Sequence, residues 1–222
     1  MNEGILLVIS GPAGTGKGSV IAELFKQSSE FAYSVSATTR KPRPTDVDGV
    51  NYHFMSREEF ERKIESGDVV EYVNYCGDYY GTLRREIEEK HKNGMNLILE
   101  LEVHGALNIK KKYPDCVTIF LLPPDYQTLE ARLRGRGTES EEAIKRRLDR
   151  ALEEVRCMSE YDYVVLNREG KCAEAAAEII EIVKSERKRV RRNLYLIDEF
   201  IKSHAMFTAE KTQEAAADAQ KE

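Results

Sequence analysis

The sequence has 222 residues, which is enough for one domain or for one domain with small inserted parts. Its formal net charge is −5, from 34 basic and 39 acidic residues, and this balance argues against a protein that coats nucleic acid or an anionic membrane. The 4 cysteines and 4 histidines are scattered, so we expect reduced intracellular thiols and neither a disulfide framework nor a metal-ligand cluster.

A predicted core strand begins close to the N-terminus, and no apolar run approaches the length of a membrane span. We therefore expect no signal peptide and no membrane-spanning segment, and we predict a cytoplasmic protein.

Ile5–Ile9 is a continuous apolar run that predicts a strand buried on both faces. The next stretch, Gly11–Ser19, has the spacing G-x-x-x-x-G-K of a phosphate-binding loop. Its glycines permit turns in which successive N–H groups point at a phosphate, and a helix predicted over Lys17–Gln27 adds the positive end of its dipole. The side chain of Lys17 would supply a point charge to the β- and γ-phosphates of a nucleotide. A glycine follows this lysine where serine or threonine is usual, and Ser19 comes one place late.

Strand-like and helix-like patterns alternate along the rest of the chain, which favours an α/β domain with a parallel sheet. The further predicted strands are Tyr33–Ala37, Asn51–Phe54, Val69–Tyr75, Asn96–Leu101, Val117–Leu122 and Tyr163–Leu166. The further predicted helices are Ser56–Gly67, Leu83–Asn93, Gly105–Lys112, Asp125–Leu133, one that begins near Ser140, and Cys172–Arg192. The first of these helices has the clearest start, because Ser56 and Glu59 form a capping box.

The C-terminal part has features of its own. A run of basic residues lies within Lys184–Arg192 on the last predicted helix. Apolar residues then fall on one helical face, namely Leu194, Ile197, Phe200 and Ile201. This face could dock on the chain's own domain, on a second subunit or on a partner. Residues 208–222 have no apolar face, so we expect a disordered tail or a frayed helix there.

A phosphate-binding loop indicates nucleotide binding but leaves the reaction open, so other polar stretches decide the substrate. In Ser36–Pro44, two arginines lie in a proline-containing loop, where their planar forks could converge on one phosphate. Seen alone, this stretch would be interpreted as a solvated basic loop. The other stretches of interest are Val70-Glu71, Gly77–Thr82, Leu99–Gly105 and Arg132–Thr138 with Arg147.

Together these stretches resemble the guanylate kinase family, whose members phosphorylate GMP from ATP. The resemblance runs from about Ile5 to Ile182, and the runs S-x-T-T-R-x-P-R, Y-Y-G-T and G-R-G-T are much more specific than the loop alone. It implies a P-loop NTPase-type fold, in which helices flank a parallel β-sheet core and a β-rich GMP-binding part and a helical lid are inserted. The implied layout is a core of residues 1–36, 83–127 and 160–207, a GMP-binding insertion of 37–82, a lid of 128–159 and a tail of 208–222.

The resemblance also implies site residues. ATP would be bound by Gly11, Pro12, Ala13, Gly14, Thr15, Gly16, Lys17, Gly18, Ser19 and Asn167. The GMP phosphate would be bound by Arg40, Arg43, Tyr52 and Tyr80, and guanine by Ser36, Glu71, Thr82 and Glu102. The transferring phosphoryl group would be surrounded by Lys17, Arg40, Arg132, Arg136 and Arg147. Mg²⁺ would bridge the β- and γ-phosphates of ATP, and its candidate ligands, directly or through water, are Ser19 and Glu100.

The chemistry of guanine supports these positions. Its N1–H and exocyclic amine are adjacent donors beside the O6 acceptor, so carboxylates can accept from the donors and a hydroxyl can donate to O6. Adenine lacks this donor pair and would leave Glu71 and Glu102 desolvated and unpaired, so such a site can discriminate by roughly 10⁴-fold. The acceptor oxygen belongs to a phosphate whose second pKa is about 6, so no general base is needed. We expect the segment 132–150 to form a lid that excludes water.

Other functions stay open at this point. A kinase for another small acceptor, such as a phosphorylated ribose, would not need Ser36, Glu71 and Thr82 together. Guanylate-kinase-like scaffold modules bind phosphopeptides, but their phosphate loop is typically degraded, whereas this loop keeps its glycines and Lys17. A GTPase is disfavoured because the sequence has no N-K-x-D motif. We therefore expect ATP and GMP as substrates, no nucleic-acid or membrane partner, and a monomer or homodimer.

Overall fold

Two β-sheets and the helices around them make up this protein, for which a computed structural model describes residues 4–75, 77–135 and 140–218. In these ranges the strands are β1 (Leu6–Ser10), β2 (Phe31–Tyr33), β3 (Ala37–Thr38), β4 (His53–Phe54), β5 (Val69–Tyr75), β6 (Asp78–Leu83), β7 (Asn96–Glu100), β8 (Val117–Leu122) and β9 (Tyr163–Leu166). The α-helices are α1 (Lys17–Gln27), α2 (Arg57–Glu65), α3 (Arg84–Lys92), α4 (Val103–Lys112), α5 (Tyr126–Arg134), α6 (Glu141–Arg156), α7 (Cys172–Arg187) and α8 (Tyr195–Asp218). The described residues form two compact units, one up to Glu181 and the other from Ile182.

The larger sheet has the strand order β2-β7-β1-β8-β9, and all its neighbouring strands are parallel. The central strand β1 is buried on both faces, because Leu6 and Val8 belong to one core cluster while Leu7 and Ile9, which alternate with them, are also buried. Parallel strands end at one edge of a sheet, and Ile9 of β1 is paired with Glu100, the last residue of β7. The loop after β1 therefore starts beside a carboxylate. The α/β fold with a parallel core sheet, predicted from the sequence, is confirmed.

The smaller sheet has the order β4-β3-β6-β5, and its strands are antiparallel except for the β3–β4 pair. Helix α2 packs on it through Phe60, which is fully buried in a cluster with Ala37, Val69 and Leu83. Along the chain, the strands of this sheet come after β2 of the larger sheet and before α3.

The chain passes from the larger sheet to the smaller one after β2 and returns at α3, and these two crossing points are neighbours in space. Glu86, in the first turn of α3, is buried, and its Oε2 accepts a hydrogen bond of 3.2 Å from the N–H of Val35, which follows β2. Its Oε1 lies 2.9 Å from Nε2 of His53 in β4. One carboxylate thus joins both crossing points and the smaller sheet.

Side-chain caps define three helix starts. Ser56 accepts from the N–H of Glu59 at 3.1 Å, as the capping box predicts, and Asp125 accepts from Thr128 at 2.7 Å. Ser140 accepts from Ala143 at 3.3 Å at the start of α6.

The single predicted strand Tyr33–Ala37 is wrong. Phe31–Tyr33 pairs with β7 in the larger sheet, whereas Ala37–Thr38 pairs with β4 and β6 in the smaller sheet. The apolar pattern continues while the chain crosses between sheets, and periodicity does not reveal a change of partner.

Strand β6 is not among the strands predicted from the sequence, because the residues of Gly77–Thr82 indicate only a binding motif. Gly77 has a φ of 89°, and β6 turns back from this residue to pair with β5. The last long helix was also predicted too long, since α7 ends at Arg187 and a short 3-10 turn covers Val190–Arg192.

The second unit contains the end of α7, this 3-10 turn and α8. Three arginines of its basic run lie near a buried carboxylate. The side-chain oxygens of Glu186 lie 3.1 Å from the guanidinium of Arg189, 3.8 Å from that of Arg191 and 3.6 Å from that of Arg192. Large apolar side chains of α8 are exposed, including Phe200 at 77%. Helix α8 extends to Asp218. The sequence left two expectations for the tail, disorder or a frayed helix, and residues 208–218 are helical.

Within the described ranges, no helix combines the length and the hydropathy that crossing a bilayer requires.

Replacing Ser56 by alanine should lower the free energy of unfolding by about 1 kcal/mol, because the N–H of Glu59 loses its acceptor at the start of α2. Urea unfolding followed by circular dichroism measures this difference. Ser159→Ala, at an exposed position that caps no α-helix, should change the value by less than about 0.5 kcal/mol. Equal losses in the two variants would contradict the capping role.

Candidate active site

The loop that joins β1 to α1 depends on glycines at two close approaches. Gly11 has a φ of 141°, and a Cβ there would lie 2.2 Å from the carbonyl oxygen of Leu121. Gly16 has a φ of 86°, and its Cβ would lie 2.5 Å from Nδ2 of Asn167. Larger residues at either position would force the loop away from β8 and from the end of β9.

Lys17 opens α1 and turns back over this loop. Its Nζ donates to the carbonyl oxygens of Gly11 at 2.7 Å and Pro12 at 3.3 Å. Ser19, two residues further along the helix, is exposed to solvent. The structure thus places Lys17, and not Ser19, against the mouth of the loop.

Two polar side chains support the loop from behind. Asn167 is buried and donates from Nδ2 to the carbonyl oxygen of Thr15 at 2.8 Å. Arg132 donates to the same carbonyl at 3.3 Å and to the carbonyl of Asn167 at 3.0 Å. Both side chains contact the loop backbone, and neither lines a described cavity of the site.

Two cavities open on either side of Lys17. The first, about 490 Å³, is lined by Lys17, Tyr33, Ser36, Asn51, Tyr52, Glu71, Tyr72, Val73, Tyr80, Gly81, Thr82, Glu100, Leu101, Glu102, His104, Gly105 and Asn108. The second, about 770 Å³, is lined by Gly11, Ala13, Lys17, Glu102, Ser140, Ala143, Arg146, Arg147, Arg150 and Glu154. Lys17 and Glu102 belong to both linings.

The first cavity collects most residues that the sequence analysis assigned to the monophosphate. The predicted residues that line it are Ser36, Tyr52, Glu71, Tyr80, Thr82 and Glu102. Tyr52 and Tyr80 are in edge-to-face contact, with ring centroids 5.9 Å apart. The smaller sheet supplies one wall of this cavity, and the ends of β7 and α4 supply the other.

The two predicted phosphate-binding arginines lie outside this lining. Arg40 forms an ion pair of 2.9 Å with Asp46, and its guanidinium carbon lies 5.4 Å from the ring centre of Tyr52. The N–H of Arg43 and the guanidinium of Arg40 lower the pKa of Asp46. The side chain of Arg43 itself is exposed. Arg40 therefore lies against the ring of Tyr52, which lines the first cavity, but does not line the cavity itself.

Glu71 is a buried carboxyl group at the wall of the first cavity, with 8% of its surface exposed. Burial, and next the negative charge of Glu102, raise its pKa to about 7, although Lys112 acts in the opposite direction. Helix α4 comes so close that a Cβ at Gly105 would lie 2.5 Å from Oε1 of Glu71. Within the described ranges no group donates a hydrogen bond to this carboxylate, so a ligand with N–H groups would meet an acceptor that needs them.

Glu102 has different surroundings. It stands at the N-terminus of α4, its side chain is 49% exposed, and its Oε2 lies 2.8 Å from Nη2 of Arg150. Nε of the same arginine donates to the buried Glu154 at 2.9 Å. Through Arg150, helix α6 thus contacts a residue that lines the first cavity.

Glu100 ends β7 and faces the first cavity, where its Oε2 accepts a hydrogen bond of 3.2 Å from Tyr33. In the described part of the chain, no three His, Cys, Asp or Glu side chains come together to hold a metal ion. A cage built from protein ligands is therefore absent there. The donor set instead fits Mg²⁺, which keeps several waters and takes one or two carboxylates together with substrate phosphates.

The second cavity is basic on its α6 side. Arg147, predicted from the sequence, lines it together with Arg146 and Arg150. Arg136, also predicted to surround the phosphoryl group, lies outside the described residues.

Three residues in or beside the first cavity were not predicted from the sequence as site residues. Tyr33 contacts Glu100, Asp46 pairs with Arg40, and Asn108 lies one turn after His104 on the cavity side of α4. The spacing of His104 and Asn108 was a usable signal, because residues four apart share a helix face. The other two contacts join residues that are distant in sequence or lie in a loop, where no periodic pattern exists.

Comparison with known proteins gives a consistent result. The family model described as Guanylate kinase matches residues 3–186. The chain is 51% identical over 190 residues to a guanylate kinase of Streptococcus thermophilus (strain CNRZ 1066), covering 85% of this chain and 90% of that protein. It is 48% identical over 200 residues to a guanylate kinase of Lactococcus lactis subsp. lactis (strain IL1403), covering 88% and 97%. The crystal structure of guanylate kinase from Anaplasma phagocytophilum superimposes with a TM-score of 0.67 at 29% identity, covering 86% of this chain and 90% of that one.

Replacing Glu71 by glutamine should change how stability depends on pH. The pKa of Glu71 rises from 4.5 to about 7 on folding, so the folded protein binds this proton more tightly and loses stability as the pH rises through that window. Glutamine does not titrate, so the variant does not lose stability in this way. The free energy of unfolding of the variant minus that of the unmodified protein should therefore increase by about 3 kcal/mol between a pH below 4.5 and a pH above 7. Thermal unfolding across this pH range tests the shift.

The matched control is Glu65→Gln, an exposed carboxylate on α2, which should leave the pH profile unchanged. Parallel stability curves for Glu71→Gln and the unmodified protein would contradict a raised pKa at Glu71.

Proposed function

The chain belongs to the guanylate kinase family, and we propose that its two cavities take the two substrates of this family, GMP in the first and ATP in the second. The family's reaction transfers the γ-phosphoryl group of ATP to GMP and gives ADP and GDP. One observation carries the assignment. Among the described lining residues, Lys17 is the cation common to both cavities, and it opens the helix that follows the phosphate loop.

Guanine fits the base end of the first cavity. The carboxylate of Glu71 accepts from the donor pair of guanine, and the hydroxyl groups of Ser36 and Thr82 are available to O6. A bound N–H pair favours the ionised form of Glu71, so GMP lowers a pKa that burial raises to about 7. Part of the binding energy of GMP thus comes from pairing a carboxylate to which no group in the described ranges donates a hydrogen bond.

The phosphate of GMP fits the tyrosine side of the same cavity. Tyr52 and Tyr80 line it, and their hydroxyl groups are suitable donors to phosphate oxygens. Arg40 reaches this phosphate when its guanidinium exchanges Asp46 for the ligand, with Arg43 approaching from the exposed loop. Asp46 then acts as the resting partner of Arg40.

Transfer depends on alignment and on neutralising charge between the cavities. The acceptor is a phosphate oxygen that is already ionised near neutral pH, so no side chain has to remove a proton. Lys17 neutralises the phosphates from the loop side, and Arg147 does so from α6, with Arg146 beside it. Asn167 and Arg132 keep the loop in shape through the carbonyl of Thr15.

Mg²⁺ accompanies ATP in this proposal, where it would neutralise charge on the β- and γ-phosphates. Glu100 would hold it through water, since its carboxylate faces the cavity that also contains Lys17. Ser19 is the weaker candidate, because its side chain is exposed and lines neither cavity.

A coupled assay of ADP release with GMP, AMP, UMP and CMP in parallel tests the substrate. We expect kcat/KM for GMP to exceed that for AMP by roughly 10⁴-fold, because adenine leaves Glu71 unpaired. In the same assay, Glu71→Gln should raise the KM for GMP by about 10- to 100-fold with an unchanged KM for ATP. Equal rates with AMP and GMP, or an unchanged KM for GMP in the variant, would refute guanine recognition by this cavity.

Lys17→Ala should lower kcat by about 100-fold or more, because the transition state loses a positive charge that both cavities share. Lys26→Ala is the matched control, at the exposed far end of the same helix, and should leave kcat unchanged. Turnover within about tenfold of the unmodified protein in Lys17→Ala would remove this lysine from phosphoryl transfer.

A further inference from the structure

Glu102 is the carboxylate common to both cavities, and it is also the point at which helix α6 contacts the wall of the first cavity. Among the described residues, Glu102 contacts Arg150 through one carboxylate oxygen, Oε2, at 2.8 Å. The side chain of Glu102 also lines the first cavity, where the base is expected.

The position of Arg150 is fixed from its other side. Its Nε donates to Oε1 of Glu154 at 2.9 Å, four residues further along α6, and Glu154 is buried. A single exposed ion pair contributes little, because both side chains lose freedom to form it. A guanidinium that already donates to Glu154 is restricted, so less freedom is lost when it also meets Glu102.

Resting on the proposed function, we propose that Arg150 is a positioning residue for guanine recognition, which holds one oxygen of Glu102 so that the other faces the base of GMP. The arginine acts through Glu102 and needs no contact with either nucleotide. Without Arg150, the half-exposed Glu102 side chain samples several rotamers, and the N–H groups of the base meet their acceptor less often.

The same contact connects the two substrates. Arg146 and Arg147 line the second cavity from the helix that carries Arg150. GMP that orders Glu102 therefore also favours the position of α6 in which these arginines face ATP. Coupling of this kind is reciprocal, so ATP should tighten GMP binding by the same factor.

A double-mutant cycle with Arg150→Ala and Glu102→Gln tests the inference. Arg150→Ala should raise the KM for GMP and its dissociation constant, measured by calorimetry, about tenfold when Glu102 is intact. In the Glu102→Gln background the same change should have less than about a twofold effect, because the carboxylate that Arg150 orients is gone. Arg150→Lys should restore part of the loss, since it keeps the charge but not the planar fork.

Arg156→Ala is the matched control, because Arg156 is exposed at the end of the same helix and lines neither cavity, and it should bind GMP like the unmodified protein. Effects of equal size in both backgrounds would show that Arg150 contacts a ligand directly, and the inference would be wrong. An unchanged affinity in Arg150→Ala would also overturn it. If the unmodified protein phosphorylates GMP while the cycle is additive, the inference fails and the proposed function stands.

Discussion

The hydrogen bond from the buried Asn167 amide to the carbonyl of Thr15 is the contact on which the site depends. It joins the end of β9 to the middle of the phosphate loop, and the close approach is open only because Gly16 has no side chain. Arg132 reinforces the same carbonyl from α5. With its backbone fixed in this way, the loop holds Lys17, the first residue of α1, near the edge where the parallel strands end.

On the opposite side of the site, the fold buries the carboxylate of Glu71 at the wall of the first cavity. A carboxylate with almost no solvent and no donor in the described structure is costly for the protein alone, and its raised pKa is the electrostatic sign of that cost. The cost falls when a suitable pair of N–H groups arrives. Under the proposed function, selectivity for the base follows from an unfavourable arrangement in the free protein as much as from attractive contacts in the complex.

Elements with a clear pattern of their own were predictable from the sequence: α1, β5, β8 and β9 begin and end at the predicted residues.

Six of the eight residues predicted for GMP line one cavity, because motif positions on strands are set by the pairing of those strands. Arg40 and Arg132 show what could not be read from the sequence. The direction of a long basic side chain depends on partners such as Asp46 and the Thr15 carbonyl, which only the fold brings within reach.

The neighbouring crossing points at Val35 and Glu86 have a consequence for how such proteins diversify. A segment that departs from a body and rejoins it at adjacent positions can be exchanged as a cassette, since the surrounding chain need not be rerouted. The smaller sheet satisfies this condition and supplies much of one cavity, while the phosphate loop belongs to the larger sheet. Changes within the smaller sheet can thus alter the first cavity while the phosphate loop and the larger sheet stay intact.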